Sequence, residues 1–268
     1  MLNLIKADSK KILRSISFWI VPVAIVAMVA MVCGIFAGLK YIIESEELSA
    51  MLGASAESLS VLGAIANTGY DMTLMNLQSD TLIYVLIIVF LSVSAFDFSA
   101  GTVKNLLSIG QSKATIYFSK LVTMLVWGTL AVIFYVAISA LLGYLFMPST
   151  PTAEEIGNIA IIGLRQLPIY ISMLCCGHML VFSMQKTVPA ILIYIGSFML
   201  FETVVPIIDM AIDSTIKVSW LMPLYQLIAL TEIDVSLECI LTVYISCAAY
   251  ILSCILGGYF KFKKSEIK

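Results

Sequence analysis

The chain has 268 residues, of which 61% are hydrophobic and only 12% charged, with a net charge of −2 and a mean hydropathy of +1.04. A soluble domain carries about 25% charged residues to coat its surface, so a water-soluble enzyme is excluded and lipid must be the solvent for much of the exterior. No polar stretch is long enough for an extramembrane domain of ordinary size, which leaves one membrane domain over residues 1–268 with short loops.

At the N-terminus, Leu2, Ile5, Ile12, Leu13 and Ile16 alternate with Lys6, Lys10, Lys11 and Arg14 at roughly helical spacing. This pattern predicts an amphipathic helix lying on the inner membrane surface, with Phe18 and Trp19 marking the interface. A basic flank that only sets topology is the plainer alternative. The apolar run 18–39 is too long for a secretory signal and lacks a small-residue cleavage site, so it reads as a retained first span.

Charged residues then divide the chain into pieces of membrane length, each of roughly 20 apolar residues. The second span covers 81–96 between Asp80 and Asp97, short enough that its start could reach back into the preceding loop. The third covers 121–147 without a charge, and the fourth covers 156–185, interrupted by Arg165 and Pro168. The fifth is 187–208 with Glu202 inside it, and the sixth is 239–260, followed by a basic tail. Unbroken apolar runs exclude a barrel of short alternating strands. The expected fold is therefore an all-α integral membrane protein with six transmembrane helices.

With six spans, twelve of the fifteen Lys and Arg residues fall on one side: Lys6, Lys10, Lys11, Arg14, Lys104, Lys113, Lys120, Lys186, Lys261, Lys263, Lys264 and Lys268. Only Lys40, Arg165 and Lys217 fall on the other, so the positive-inside rule predicts cytoplasmic N- and C-termini. Acids show the reverse pattern, with Glu44, Glu46, Glu47, Glu57, Asp71 and Asp80 in the first outer loop and Glu154 and Glu155 in the second. Asp209, Asp213, Glu232, Asp234 and Glu238 lie in or beside the third. Such a face would attract a cationic substrate, or it simply collects acids once bases are held inside. The six cysteines sit in or at the edge of apolar segments and read as reduced packing residues.

The connection 97–121 carries most of the information. It runs Asp97-Phe98-Ser99-Ala100-Gly101-Thr102-Val103-Lys104-Asn105-Leu106-Leu107-Ser108-Ile109-Gly110-Gln111-Ser112-Lys113, then on to Lys120. Its pattern predicts two short helical pieces hinged at Ile109-Gly110, with Ser112 capping the second. Leu106, Leu107 and Ile109 give the first piece an apolar side, while Lys104 and Lys113 face water or a partner. From the residues alone, a force-transmitting element and a plain surface loop both stand.

The size, six spans, inside termini, basic N-terminal helix and this connection resemble the ABC-2-type permeases, membrane subunits of ATP-binding-cassette exporters. The subgroup most similar contains Gram-positive permeases for lantibiotic self-protection and bacitracin-type resistance. Only about 25 residues match at motif level, and the family's usual basic residue of the second short helix appears here as Lys113, a conservative departure. The resemblance implies a multi-pass protein of the bacterial cell membrane that works as a permease subunit, with ATP hydrolysis on a separate cytosolic ATPase chain. It implies a second permease, same or homologous, to complete the path, and a peptide or other amphiphile exported from the cell or membrane. The residues it marks for ATPase coupling are Gly101, Thr102, Lys104, Asn105, Gly110, Ser112 and Lys113, with Asp97 orienting the end of the span. Membrane lipid is the other expected partner, and neither cofactor nor nucleic acid is expected.

Two charges inside spans are functional candidates because charge is costly in lipid. Glu202 stands roughly 22 Å up the fifth helix from Thr187, and Arg165 roughly 30 Å up the fourth from Gln185. The readings are an Arg165–Glu202 pair or separate snorkelling to the headgroups. Cys175-Cys176-x-His178 resembles a metal motif, but no further Cys or His cluster completes four ligands, and a packed histidine is the favoured reading. A phosphate-binding Gly-rich Lys motif is absent, as are Ser–His, HExxH and Asp-rich catalytic patterns. A lipid-modifying membrane enzyme and a non-transporting sensor or scaffold remain the alternatives to a transport subunit.

Overall fold

The computed structural model describes residues 1–44, 67–211 and 218–265. Glu46, Glu47, Glu57, Asp213, Lys217 and Lys268, named above in the loop and orientation arguments, lie outside the described residues. All regular structure among the described residues is helical: α1 (Leu2–Arg14), α2 (Ile16–Glu44), α3 (Gly69–Gln78), α4 (Thr81–Phe90), α5 (Phe96–Ser99), α6 (Thr102–Ser108), α7 (Lys113–Phe146), α8 (Ala153–Met184), α9 (Thr187–Ala211), α10 (Pro223–Thr231) and α11 (Leu237–Lys264). A π-helical turn, Leu91–Ala95, joins α4 to α5, and a short 3₁₀ turn, Val218–Leu221, precedes α10. Six helical segments among the described residues are long and apolar enough to cross a membrane: α2, α4 through α5, α7, α8, α9 and α11.

Local chemistry explains where these helices begin. Thr68 and Asp71 form a reciprocal capping box at α3, and Thr152 and Glu155 do the same at α8. Ser112 accepts from the Thr115 amide at the start of α7, and Ser236 from the Cys239 amide at the start of α11. The second short piece expected after Gly110 is not separate, because the Ser112 cap opens a 34-residue helix continuous with the third span. At roughly 51 Å, α7 outruns the ~30 Å hydrocarbon thickness by several turns. Neither does the second span reach back into the preceding loop. Ser79 has extended backbone and makes α3 a separate helix. Pro168 does not interrupt α8, and Pro22 and Pro206 likewise sit inside α2 and α9.

Helix α7 is the hub, packing against α1, α2, α3, α4 and α8, while α8 and α11 form the most extensive pair. Small residues permit the close approach of these helices. A Cβ on Gly143 of α7 would lie 2.8 Å from the Gly69 carbonyl oxygen of α3, and one on Gly258 of α11 would lie 3.1 Å from the Met179 Cα of α8. Buried amides tie the end of the bundle away from the termini. Gln166 of α8 donates to the carbonyls of Leu77 and Leu227 at 2.9 and 3.0 Å and lies 3.0 Å from the Thr231 hydroxyl. Helices α3, α8 and α10 are thereby joined by one side chain.

Helix α1 and the C-terminal end of α11 lie at the same end of the bundle, called below the end of the termini. Lys113 at the start of α7 donates to the carbonyls of Lys263 and Ser265 at 3.1 and 2.6 Å, while α1 packs on the first turns of α7.

Candidate functional site

The most organised polar site lies at this end, where α1, α5 and α7 meet. Lys120 is two helical turns into α7 and 1% exposed, and its ammonium reaches the Asp8 Oδ1 of α1 at 2.6 Å. The same ammonium bonds to Asp97 Oδ2, and Asp97 Oδ1 bonds to Lys11. Asp97 is itself 2% exposed. The four groups form a row, Asp8–Lys120–Asp97–Lys11, in which charges alternate and sum to zero. Burying ions requires that kind of compensation, since an unpaired charge in a low-dielectric site is strongly unfavourable. Burial pushes the Asp8 carboxyl above its ordinary value of 3.8, with Lys120 pulling the other way and Asp97 adding to the rise.

An aromatic wedge backs the row. Phe98 of α5 meets Phe182 of α8 at 5.1 Å, and Phe182 meets Phe262 of α11 at 4.9 Å. Tyr117 of α7 stacks edge-on to Phe182 at 4.9 Å and to His178 at 4.6 Å, and its hydroxyl donates to the Ile255 carbonyl at 3.1 Å. His178 is fully buried among these rings, a packed histidine in an aromatic setting.

Between Asp97 and Lys120 the chain leaves the bundle and returns. Gly101 (φ 69°) and Gly110 (φ 86°) take left-handed conformations at either end of α6. A side chain at those positions would strain the backbone. Val103 of α6 is buried, Leu106 and Leu107 are half-buried, and Lys104, Asn105 and Ser108 are exposed. Thr102 opens the helix, and Ser112 closes the return as the cap of α7.

The model of a family described as a protein of unknown function (DUF2705) matches residues 27–268. The chain belongs to the DUF2705 family. No curated protein matches it significantly.

Within this DUF2705 chain, the residues marked on sequence are partly gathered and partly dispersed. Asp97 sits in the ion row, and Gly101, Thr102, Lys104, Asn105 and Gly110 define the projecting helix beside it. Lys113 differs from expectation, because its ammonium caps the C-terminal carbonyls of α11 and lies 5.9 Å above the Phe262 ring instead of facing water. Arg165 and Glu202 do not pair. The Arg165 guanidinium lies 3.4 Å from the Ile233 carbonyl oxygen and 3.5 Å from that of Glu232, at the exit of α10. Glu202 instead lies beside Asp80, with the Tyr84 hydroxyl of α4 3.5 Å from its Oε2. The two candidates project toward different neighbours, so their similar height along adjacent spans brings no contact.

Asp8, Lys11 and Lys120 are not legible in sequence as site residues of this DUF2705 protein, since the two lysines read only as topological charge. A signal is nonetheless present. Ile5, Asp8 and Ile12 stand at i, i+3 and i+7, so the one acid of α1 lies on the apolar stripe that docks. An acid on a buried stripe demands a buried cation opposite.

Proposed function

We propose that the chain is the membrane-spanning permease subunit of an ATP-driven exporter of the ABC-2 type, with a separate cytosolic ATPase docking on α6. The observation that carries this reading is the exposed helix α6, bounded by two left-handed glycines and flanked on both sides by residues of the buried ion row. A partner that tilts α6 pulls on Asp97 through α5 and on Lys120 through the first two turns of α7. Those residues hold α1 and the ends of two spans, so the motion reaches the bundle as a rigid displacement. The end bearing the termini, rich in Lys and Arg, is on this reading the cytoplasmic face of a bacterial cell membrane. Two permeases, identical or homologous, line the path, and the cargo is a peptide antibiotic, lantibiotic or other amphiphile. Alternation between inside-open and outside-open states is then a population shift driven by nucleotide binding on the ATPase.

The test is purification of the detergent-solubilised chain from its native host, with ATPase activity measured on the co-purifying material. A P-loop ATPase should accompany the wild-type chain, and Lys104→Glu should release it while leaving thermal unfolding unchanged, because Lys104 is exposed and unpaired among the described residues. Recovery of the chain alone, with no associated ATPase, overturns the exporter reading and brings forward a membrane sensor or scaffold.

A further inference from the structure

A cavity of about 320 Å³ opens at the bundle end away from the termini, between the Val218–Leu221 turn, α10 and the first turns of α11. Its lining includes Trp220, Tyr225, Glu238 and Thr242. Among the described residues, Glu238 is the only carboxylate lining the cavity, and no lysine or arginine lines it.

The turn that carries Trp220 is held from several directions. Both carboxylate oxygens of Asp209 accept from its backbone, taking the Val218 and Ser219 amides at 2.7 and 2.9 Å. The buried Gln226 donates to the Trp220 carbonyl at 3.2 Å and to the Ser246 hydroxyl at 2.8 Å. Tyr250 donates to the Leu221 carbonyl at 3.4 Å. Three side chains from α9, α10 and α11 thus position a turn whose Trp220 is itself 54% exposed. Of the polar side chains lining the cavity, Thr242 donates to the Glu238 carbonyl, Ser236 caps α11 and Gln226 is bonded as above, while three others are unengaged. The Glu238 carboxylate, the Tyr225 hydroxyl and the Trp220 indole nitrogen have no protein partner among the described residues.

We propose that this cavity binds the organic ammonium head of an amphiphile, cradled by the Trp220 and Tyr225 rings and neutralised by Glu238. Aromatic faces attract a cation through their quadrupole, and the effect grows as water is excluded. A single carboxylate with no competing base among the described lining residues gives the cavity the matching sign. The bundle also supplies a track for the tail. Leu241 and Ile245 follow Glu238 at i+3 and i+7 on α11, so they share its face one and two turns deeper, and both are exposed. An ammonium group at the rim with an alkyl chain along these residues satisfies the whole surface. The site stands independently of the exporter reading, and its test requires no ATPase.

The test uses the full chain in phosphatidylglycerol nanodiscs, with Trp19→Phe and Trp127→Phe leaving Trp220 as the sole indole. Dodecyltrimethylammonium should shift Trp220 emission saturably, and dodecanol should not compete with it. Glu238→Gln should weaken the response about tenfold, equivalent to ~1.4 kcal/mol. Should the double tryptophan replacement fail to fold, the wild-type chain titrated against Trp220→Leu gives the same difference signal. Repeating the titration in phosphatidylcholine identifies the source of the head. A response abolished there marks a lipid headgroup as occupant, and a response retained marks an ammonium delivered by another amphiphile or a peptide. A response that never saturates, is matched by dodecanol, or is unchanged in Glu238→Gln overturns the proposal and leaves Trp220 an interfacial anchor.

Discussion

Replacing Lys120 with methionine keeps the length of the buried stem and removes the one cation that Asp8 and Asp97 share. The row then carries a net charge of −1. Asp97 retains only Lys11, whose side chain is 51% exposed, and Asp8 loses its one bonded cation, keeping only the weaker field of Lys11. Removing one partner of a buried pair costs about 3–5 kcal/mol, and a cation serving two buried carboxylates belongs at the upper end of that range. The half-exposed Lys11 is screened by water, so Lys11→Met should cost about 1 kcal/mol or less. Asp97→Asn combined with Lys120→Met restores neutrality, with Asp8 and Lys11 left to balance each other on α1. The double variant should therefore be more stable than the sum of the single losses by roughly 2 kcal/mol or more. Reversible unfolding in mixed micelles, followed by steric trapping, supplies the free energies for the cycle. Additive losses, or a Lys11→Met penalty equal to that of Lys120→Met, would refute the charge-balance reasoning.

Four further measurements probe other parts of the architecture. Gly258→Ala places a Cβ 3.1 Å from the Met179 Cα and 2.6 Å from the Tyr117 hydroxyl, and should lower the unfolding free energy by about 1–3 kcal/mol. Gly157→Ala meets nothing within 4 Å and should leave stability equal or raise it by up to ~1 kcal/mol. Gln166→Leu strips the Leu77 and Leu227 carbonyls of their shared donor, and a loss of about 1–3 kcal/mol should be read in the same unfolding assay. The pH dependence of Asp8 has a definite sign. Its folded pKa is raised, mainly by burial, so the folded state holds the proton more tightly than the unfolded state. The Asp8 contribution to docking of α1 is full below the ordinary 3.8, declines as pH rises toward the folded value and is flat beyond it. Asp8→Asn should flatten that part of the stability curve, and an unaltered slope would show that Asp8 does not titrate on unfolding.

The spans are legible because a run of about 20 uncharged apolar residues cannot be kept from water inside a small chain this poor in charge, whereas a bilayer hides it at no cost. Their ends are less so. Lys120 halts the predicted third span at Leu121, yet the helix starts at Lys113, since a lysine paired with two carboxylates no longer marks water. Helices α3 and α10 are hidden because both are short and fall in stretches that read as loops. Their burial depends on a long-range partner, Gln166, that no local pattern encodes. The π turn at Leu91–Ala95 is equally invisible in composition. Arg165 and Glu202 stand out as isolated charges, but rotation about a helix axis decides what a side chain meets, and height along the span does not. Asp97 is legible as an acid at the end of a span. Its partners are not, because charge counting treats every lysine near a membrane as a topological marker.

The arrangement of the ion row bears on why the connection between the second and third spans is short and rigid at its roots but hinged at its tip. Seven residues of continuous helix, roughly 10 Å, separate Lys113 from Lys120, and Asp97 lies within four residues of Gly101. A displacement of α6 therefore reaches both halves of the Asp97–Lys120 pair along short, stiff levers. Buried ion pairs tolerate little stretching, because the desolvation already incurred is offset only while contact is kept. Two outcomes are open to such a joint: the pair moves as one body, or it breaks and admits water. The shared bonds to Asp8 and Lys11 favour the first, since separation would have to abandon α1 as well. On the exporter reading, α1 then travels with the ends of both spans. On that reading, the carboxylate on the apolar face of α1 is what couples this amphipathic helix to the bundle.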